Sequence, residues 1–230
     1  MIGRSGAGAR RGHGGPGVNG EHCVHVVDDE AEARDALCFL LRGAGLHVRT
    51  HASGADFLAA PLPDVPTCVV LDIRMPGIGG LEVLERLRGG GAAWPVIMFT
   101  AFADVPTTVR AFKAGAVDLM EKPYDGATLV RSIQDALRAD AGRRMGASER
   151  RAVLDRVRAL TARERQVMAL LVQGAPNKIV AVELGISIKT VEIHRSRVMR
   201  KMAAGSLAEL VRMALLAGEE GIRAVEAAPG

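Results

Sequence analysis

Five polar residues stand at the ends of short apolar runs spread over 94 positions: Asp28 and Asp29 after CVHVV, Asp72 after TCVVL, Thr100 after PVIMF, and Lys122 after AVDLM. In an open parallel sheet, ligands bind outside the carboxyl ends of the strands, so these side chains can converge on one small volume. Three carboxylates at close range raise one another's pKa unless a cation neutralises them. A hard divalent ion such as Mg²⁺ suits oxygen ligands and keeps enough water to accept a phosphoryl oxygen. Asp72 can then act as a carboxylate nucleophile and form an aspartyl phosphate. Lys122 offers a point charge and Thr100 a hydroxyl donor for the phosphoryl oxygens. Taken singly, each residue also has a plainer reading. Asp28 or Asp29 can cap the helix that begins near 30, Asp72 can serve the turn at Met75-Pro76-Gly77, Lys122 can be a solvated loop lysine and Thr100 a simple strand end. Their recurrence at strand ends of one domain is what points to a site.

A second constellation lies near the end of the chain. From Ser187, a residue type that suits an N-cap, the run SIKTVEIHRSRVMRKM has two faces at 100° per residue. Val191, Val198 and Met202 form one, flanked by His194 and Arg195. Lys189, Glu192, Ile193, Ser196 and Arg200 form the other, which is free for a major groove. The apolar face is expected to pack on Ile179, Val180 and Val182 of the preceding helix. Pro176 suits the first turn of that helix, and Gly185 the left-handed turn after it. Helix, short turn with glycine and basic second helix make the helix-turn-helix pattern. On pattern alone, a three-helix bundle with a solvated basic face fits as well.

Elements must hold these residues in place. Strands are predicted at 22–27, 46–51, 67–71, 95–99 and 116–120, alternating with helices near 30–43, 53–60, 80–88, 104–114 and 125–139. The fold class is α/β: a doubly wound five-stranded parallel sheet, followed by a small all-α domain with helices near 162–172, 176–184, 188–202 and 206–217. The domain reading is a glycine-rich disordered tail over 1–20, a first domain over 21–139, a linker over 140–155 that is helical in part, a second domain over 156–218 and a frayed tail over 219–230. Charge divides the same way. Residues 21–140 carry 11 Lys/Arg and 17 Asp/Glu (−6), whereas residues 150–217 carry 13 and 5 (+8), so the second part is expected to meet a polyanion. Aromatics are only 3% of the chain, which disfavours single-strand binding by base stacking and favours duplex DNA. No apolar run approaches the roughly 18 residues of a membrane span, and residues 1–20 have no apolar core of a secretory signal. Cys23, Cys38 and Cys68 lack metal-ligand spacing and read as buried thiols of a cytoplasmic protein.

The segments VVDDE at 26–30, VVLDIRMPG at 69–77, MFTAFADVP at 98–106 and KAGAVDLMEKPY at 113–124 resemble the receiver domain of bacterial two-component response regulators, a flavodoxin-like fold. The wording DVP, KAGAVD and EKP is similar to the FixJ subfamily. LTARERQVMALLVQG at 160–174 and the run at 177–202 resemble the LuxR-type DNA-binding domain. The resemblance implies that Asp72 is the phosphoacceptor, that Asp29, Asp72 and the backbone carbonyl of Arg74 hold Mg²⁺ with Asp28 helping through water, and that Thr100 and Lys122 contact the phosphoryl group. It implies Glu192, Ile193 and Ser196 facing bases, and Lys178, Thr190, His194, Arg197 and Lys201 facing phosphates. It further implies a histidine kinase as phosphodonor, double-stranded DNA as target, and a homodimer formed through about 104–121 on phosphorylation. One departure stands out: receivers usually carry a switch aromatic three residues before the lysine, and this chain has Leu119 there. Two rival readings follow. Leu119 suits a regulator that binds DNA without phosphorylation. An aspartyl-nucleophile phosphatase would usually place a second acid two residues after Asp72, where this chain has Arg74.

Overall fold

The computed structural model describes residues 22–61 and 63–226, so the expected tail over 1–20 lies outside the described residues, as do the last four positions. Five strands, β1 (Cys23–Val27), β2 (Val48–His51), β3 (Thr67–Asp72), β4 (Val96–Thr100) and β5 (Asp118–Glu121), pair in parallel in the order β2-β1-β3-β4-β5. The three central strands are buried along their whole length, as mostly apolar strands covered on both faces must be. Successive side chains alternate between two cores. Val24, Val26, Val70 and Phe99 pack with α1 (Ala31–Gly43) and the first part of α5 (Gly126–Arg158). Val27, Val69, Leu71 and Met98 pack with α2 (Gly54–Ala59), α3 (Gly80–Gly89) and α4 (Val105–Lys113). Strand order makes β1, β3 and β4 neighbours, so Asp28, Asp72 and Thr100 end up at one edge although far apart in sequence.

The stretch expected as a linker over 140–155 lies within α5, which runs unbroken from Gly126 to Arg158. Its alanines and arginines are strong helix formers, and nothing in it is a proline. The chain divides into two compact units at Gly142–Arg143, so the second unit begins earlier than the expected 156. Val153 and Val157 are why: both are buried against Met168, Val198, Met202 and Leu210.

That second unit continues through α6 (Ala162–Val172), α7 (Asn177–Leu184), α8 (Ile188–Met202) and α9 (Leu207–Glu226). A capping box at Thr161 and Glu164 starts α6, satisfying two helix-end donors reciprocally. Pro176 caps α7, Gly185 takes the left-handed turn (φ 65°), and Ser187 caps α8 by accepting from Thr190 N–H. Of the three residues expected to cover α8, only Val180 is buried; Ile179 and Val182 are 46% and 74% exposed. On a helix of 3.6 residues per turn, positions 179 and 182 share the side opposite the buried Val180–Ala181 edge. The tail expected to fray from 219 is helical to Glu226, beyond a break at Gly218 (φ 64°, ψ −160°), a conformation open essentially to glycine alone. Among the described residues, no helix is long and apolar enough to cross a membrane.

Candidate functional site

At the carboxyl edge of the sheet, Asp28 and Asp72 are buried, 2% and 7% exposed, and both reach the ammonium of Lys122. Lys122 Nζ lies 2.8 Å from Asp28 Oδ2 and 3.0 Å from Asp72 Oδ1. The second oxygen of Asp72 accepts from the Arg74 N–H at 2.8 Å, and Asp28 Oδ1 accepts from the Glu30 N–H at 2.9 Å. Lys122 follows directly on β5, and its own N–H donates to the Thr100 carbonyl at 2.8 Å, which ties the lysine to the end of β4. Burial pushes the Asp72 carboxyl above the usual carboxylate range, against the downward pull of Lys122 and Arg74 N–H and with help from the Asp28 charge. Burial works to lower the Lys122 pKa, but hydrogen bonds and attraction from the two carboxylates outweigh it and the net shift is upward. Burial thus dominates the Asp72 shift and the facing carboxylates the Lys122 shift, in a poorly solvated pocket where two acids meet one ammonium.

Asp29 does not join this pair. Its side chain is exposed, and among the described residues no three His, Cys, Asp or Glu side chains are placed to hold a metal ion. Lys122 thus bridges Asp28 and Asp72, offsetting part of their charge, and Asp29 stands outside that contact. Thr100 is buried, and its hydroxyl donates to Phe102 O at 2.8 Å and accepts from Phe102 N–H at 3.1 Å. Leu119 is half-buried and packs on the core beneath α4. One site requirement escaped the sequence reading. α3 starts at Gly80 so close under Asp72 that a Cβ there would sit 2.1 Å from the Asp72 carbonyl oxygen. The Gly79-Gly80 doublet was the available signal.

On α8 the two faces fall as expected. Val191, Val198 and Met202 are fully buried, while Lys189, Glu192, Ile193, Ser196, Arg197 and Arg200 line one shallow recess on the outer face. Lys178 and Arg197 are exposed, and Thr190 shares a hydrogen bond with Ser187 Oγ at 2.8 Å. His194 is half-buried, with Nδ1 enclosed and unpartnered. Lys201 departs from its expected phosphate role. Its Nζ lies 2.6 Å from Oε2 of the buried Glu164 and 3.1 Å from Ala159 O, so its charge compensates an internal carboxylate.

This acid pocket on a parallel sheet, joined to a capped helix-turn-helix, defines a class: the transcriptional response regulators. Residues 24–134 match the response regulator receiver domain, and residues 158–214 match the bacterial regulatory proteins of the luxR family. The chain is 48% identical to the transcriptional regulatory protein FixJ of Azorhizobium caulinodans over 85% of its own length and 92% of that protein. It is 47% identical to the C4-dicarboxylate transport transcriptional regulatory protein DctR of Rhodobacter capsulatus, over 83% and 98%. The solved structure of the response regulator StyR superposes with a TM-score of 0.79 at 39% identity, covering 85% of this chain and 99% of that one. Full-length FixJ from B. japonicum gives 0.53 at 41% identity, covering 86% and 97%. The chain belongs to the FixJ-like response regulators. Its receiver thereby implies a histidine kinase partner, and its LuxR-type domain implies DNA binding.

Proposed function

We propose that Asp72 is the phosphoacceptor and that its phosphorylation drives receiver pairing and DNA binding. The observation that carries this is the Asp72 carboxylate, buried with one oxygen on Lys122 and the other on Arg74 N–H. An Asp72 oxygen attacks the phosphorus of a kinase phosphohistidine; the P–N bond breaks, and the imidazole nitrogen leaves with its electron pair. Lys122 and Thr100 then meet the new phosphoryl oxygens. The excess negative charge beside Asp72 suits a hard divalent cation, and Asp29, Asp72 and the Arg74 carbonyl would hold Mg²⁺, with Asp28 acting through water. Bound there, the ion would offset phosphoryl charge. Pairing through 104–121 is supported by apolar side chains that this surface leaves bare: Val105 is 75% exposed, Phe112 49% and Val117 52%. On DNA, Glu192, Ile193 and Ser196 face bases, while Lys178, Thr190 and Arg197 meet phosphates. His194, half-buried, stands at the margin of that set.

The test is Asp72→Asn with a small-molecule phosphodonor. The variant should keep its fold and lose donor-dependent dimerisation and the accompanying gain in operator affinity. Donor-induced dimers of that variant would refute the scheme. Equal DNA affinity of the parent protein with and without donor would favour the phosphorylation-independent reading that Leu119 suggests.

A further inference from the structure

Where receivers usually carry a switch aromatic, this chain has Leu119, half-buried against the core. An aromatic ring stands elsewhere. Phe102, two residues beyond Thr100, is 62% exposed, and its main chain is held on both sides by the Thr100 hydroxyl, which donates to its carbonyl and accepts from its N–H. The loop continues under equally local control. Ala103 N–H donates to Glu121 Oε1 at 3.2 Å, and Asp104 caps α4 through Thr107 N–H at 2.7 Å. From α4 the exposed Val105, Val109 and Phe112 form a stripe at i, i+4 and i+7 that begins three residues after Phe102.

A threonine hydroxyl has one proton to donate. While that proton serves Phe102 O, it does not serve a phosphoryl oxygen; once it turns to the phosphoryl group, the Phe102 carbonyl loses its partner. We propose that Phe102 is the switch aromatic of this chain. Phosphorylated Asp72 draws the Thr100 hydroxyl away from the loop, and the freed Phe102 ring folds onto the Val105 end of the α4 stripe, completing the face on which a second copy docks. The ring is a positioning residue acting through Thr100, and burial of adjacent apolar surface drives its movement. The proposal rests on Asp72 being the phosphoacceptor.

The experiment uses the full chain carrying Phe102→Trp, with the signal of the single native tryptophan, Trp94, subtracted using the parent protein. Acetyl phosphate is the donor, and Phos-tag electrophoresis reports phosphorylation independently. Emission should shift to the blue on phosphorylation at dilutions where sedimentation shows monomer only, and Asp72→Asn should abolish the shift. Phe102→Ala should be phosphorylated to the same extent as the parent yet dimerise at least tenfold more weakly. A shift that follows dimer concentration alone would reduce Phe102 to a passive part of the interface and overturn the coupling. So would unchanged emission from Phe102→Trp protein that electrophoresis shows to be phosphorylated. If the parent gives no phosphorylated band, the Asp72 reading itself fails and this proposal falls with it.

Discussion

Replacing Gly80 with alanine should damage both the stability of the receiver and its chemistry, because α3 is pressed against the strand that carries Asp72. The added Cβ would lie 2.1 Å from the Asp72 carbonyl oxygen and 3.0 Å from its carbonyl carbon, where ordinary contacts begin near 3.4 Å. Relief requires a shift of more than about 1 Å, and the atoms met are main chain with no rotamer to yield. Overpacking of this kind costs about 1–3 kcal/mol. The same shift acts on Asp72, whose oxygens are fixed at 3.0 Å from Lys122 Nζ and 2.8 Å from Arg74 N. Hydrogen bonds weaken steeply over such a distance, and a misplacement of about 1 Å at a reacting group costs on the order of 100-fold in rate. The assay pairs urea unfolding followed by circular dichroism with the initial rate of phosphorylation from acetyl phosphate. Gly54→Ala provides the contrast. Its Cβ would meet Val83 Cγ2 at 2.5 Å and Ile78 O at 2.8 Å, with no atom of Asp28, Asp72 or Lys122 among the nearest three, so it should lose stability and keep its rate. A Gly80→Ala protein with parental stability and parental rate would refute the reasoning, and equal rate losses in both variants would show that the effect is general loosening.

Other consequences can be measured in parallel. Burial, then the charges of His51 and Arg49, push the His25 pKa down to about 4 from an ordinary 6.5, so the folded protein keeps the ring neutral while the unfolded chain protonates it. Its stabilisation is complete above pH 6.5 and is lost as pH falls towards 4, amounting to about 2 kcal/mol by pH 5. Unfolding free energies at pH 7 and 5 should therefore differ less in His25→Gln, though not vanish, since burial also lowers the His51 pKa. Ala203 closes α8 in the left-handed region (φ 54°), where alanine is strained and glycine is not. Ala203→Gly should stabilise the second unit by about 1 kcal/mol in thermal unfolding, and a loss would count against the assigned cap. On DNA, Arg197→Gln should weaken binding uniformly across sequences and reduce the salt slope by about 1, whereas Glu192→Ala should change base preference at one position, both read by competition binding at several salt concentrations.

The sheet was legible because its central strands β1, β3 and β4 are short, mostly apolar runs bounded by turn residues, and the pocket because most of its residues sit at the ends of those runs. What the pattern could not reveal depends on which neighbours the fold brings near. Ile179 and Val182 are apolar yet exposed, since hydrophobicity alone does not choose a side of a short helix. Lys201 is by sequence one more cation of the basic helix, and only the fold brings the buried Glu164 beneath its ammonium. Asp28 and Asp29 are equivalent in sequence, but only Asp28 turns inward to Lys122. Residues 140–155 carry the small, polar and basic composition of a linker, and those same residue types sustain a helix once Val153 and Val157 have a core to enter.

That helix has a kinetic signature. α5 contributes Leu129, Ile133 and Leu137 to one core and Val153 and Val157 to another, with the division between compact units at Gly142–Arg143. Its amide protons should therefore exchange as two populations. Those before Gly142 open with the receiver and those after Arg143 with the DNA-binding unit, while the turns around Gly142 and Gly146 open first, because no core holds them. A fragment cut at 158, where the luxR-family match begins, would leave Val153 and Val157 behind. A fragment beginning near 143 would keep both valines with the core they enter, and is expected to resist urea better than one beginning at 158.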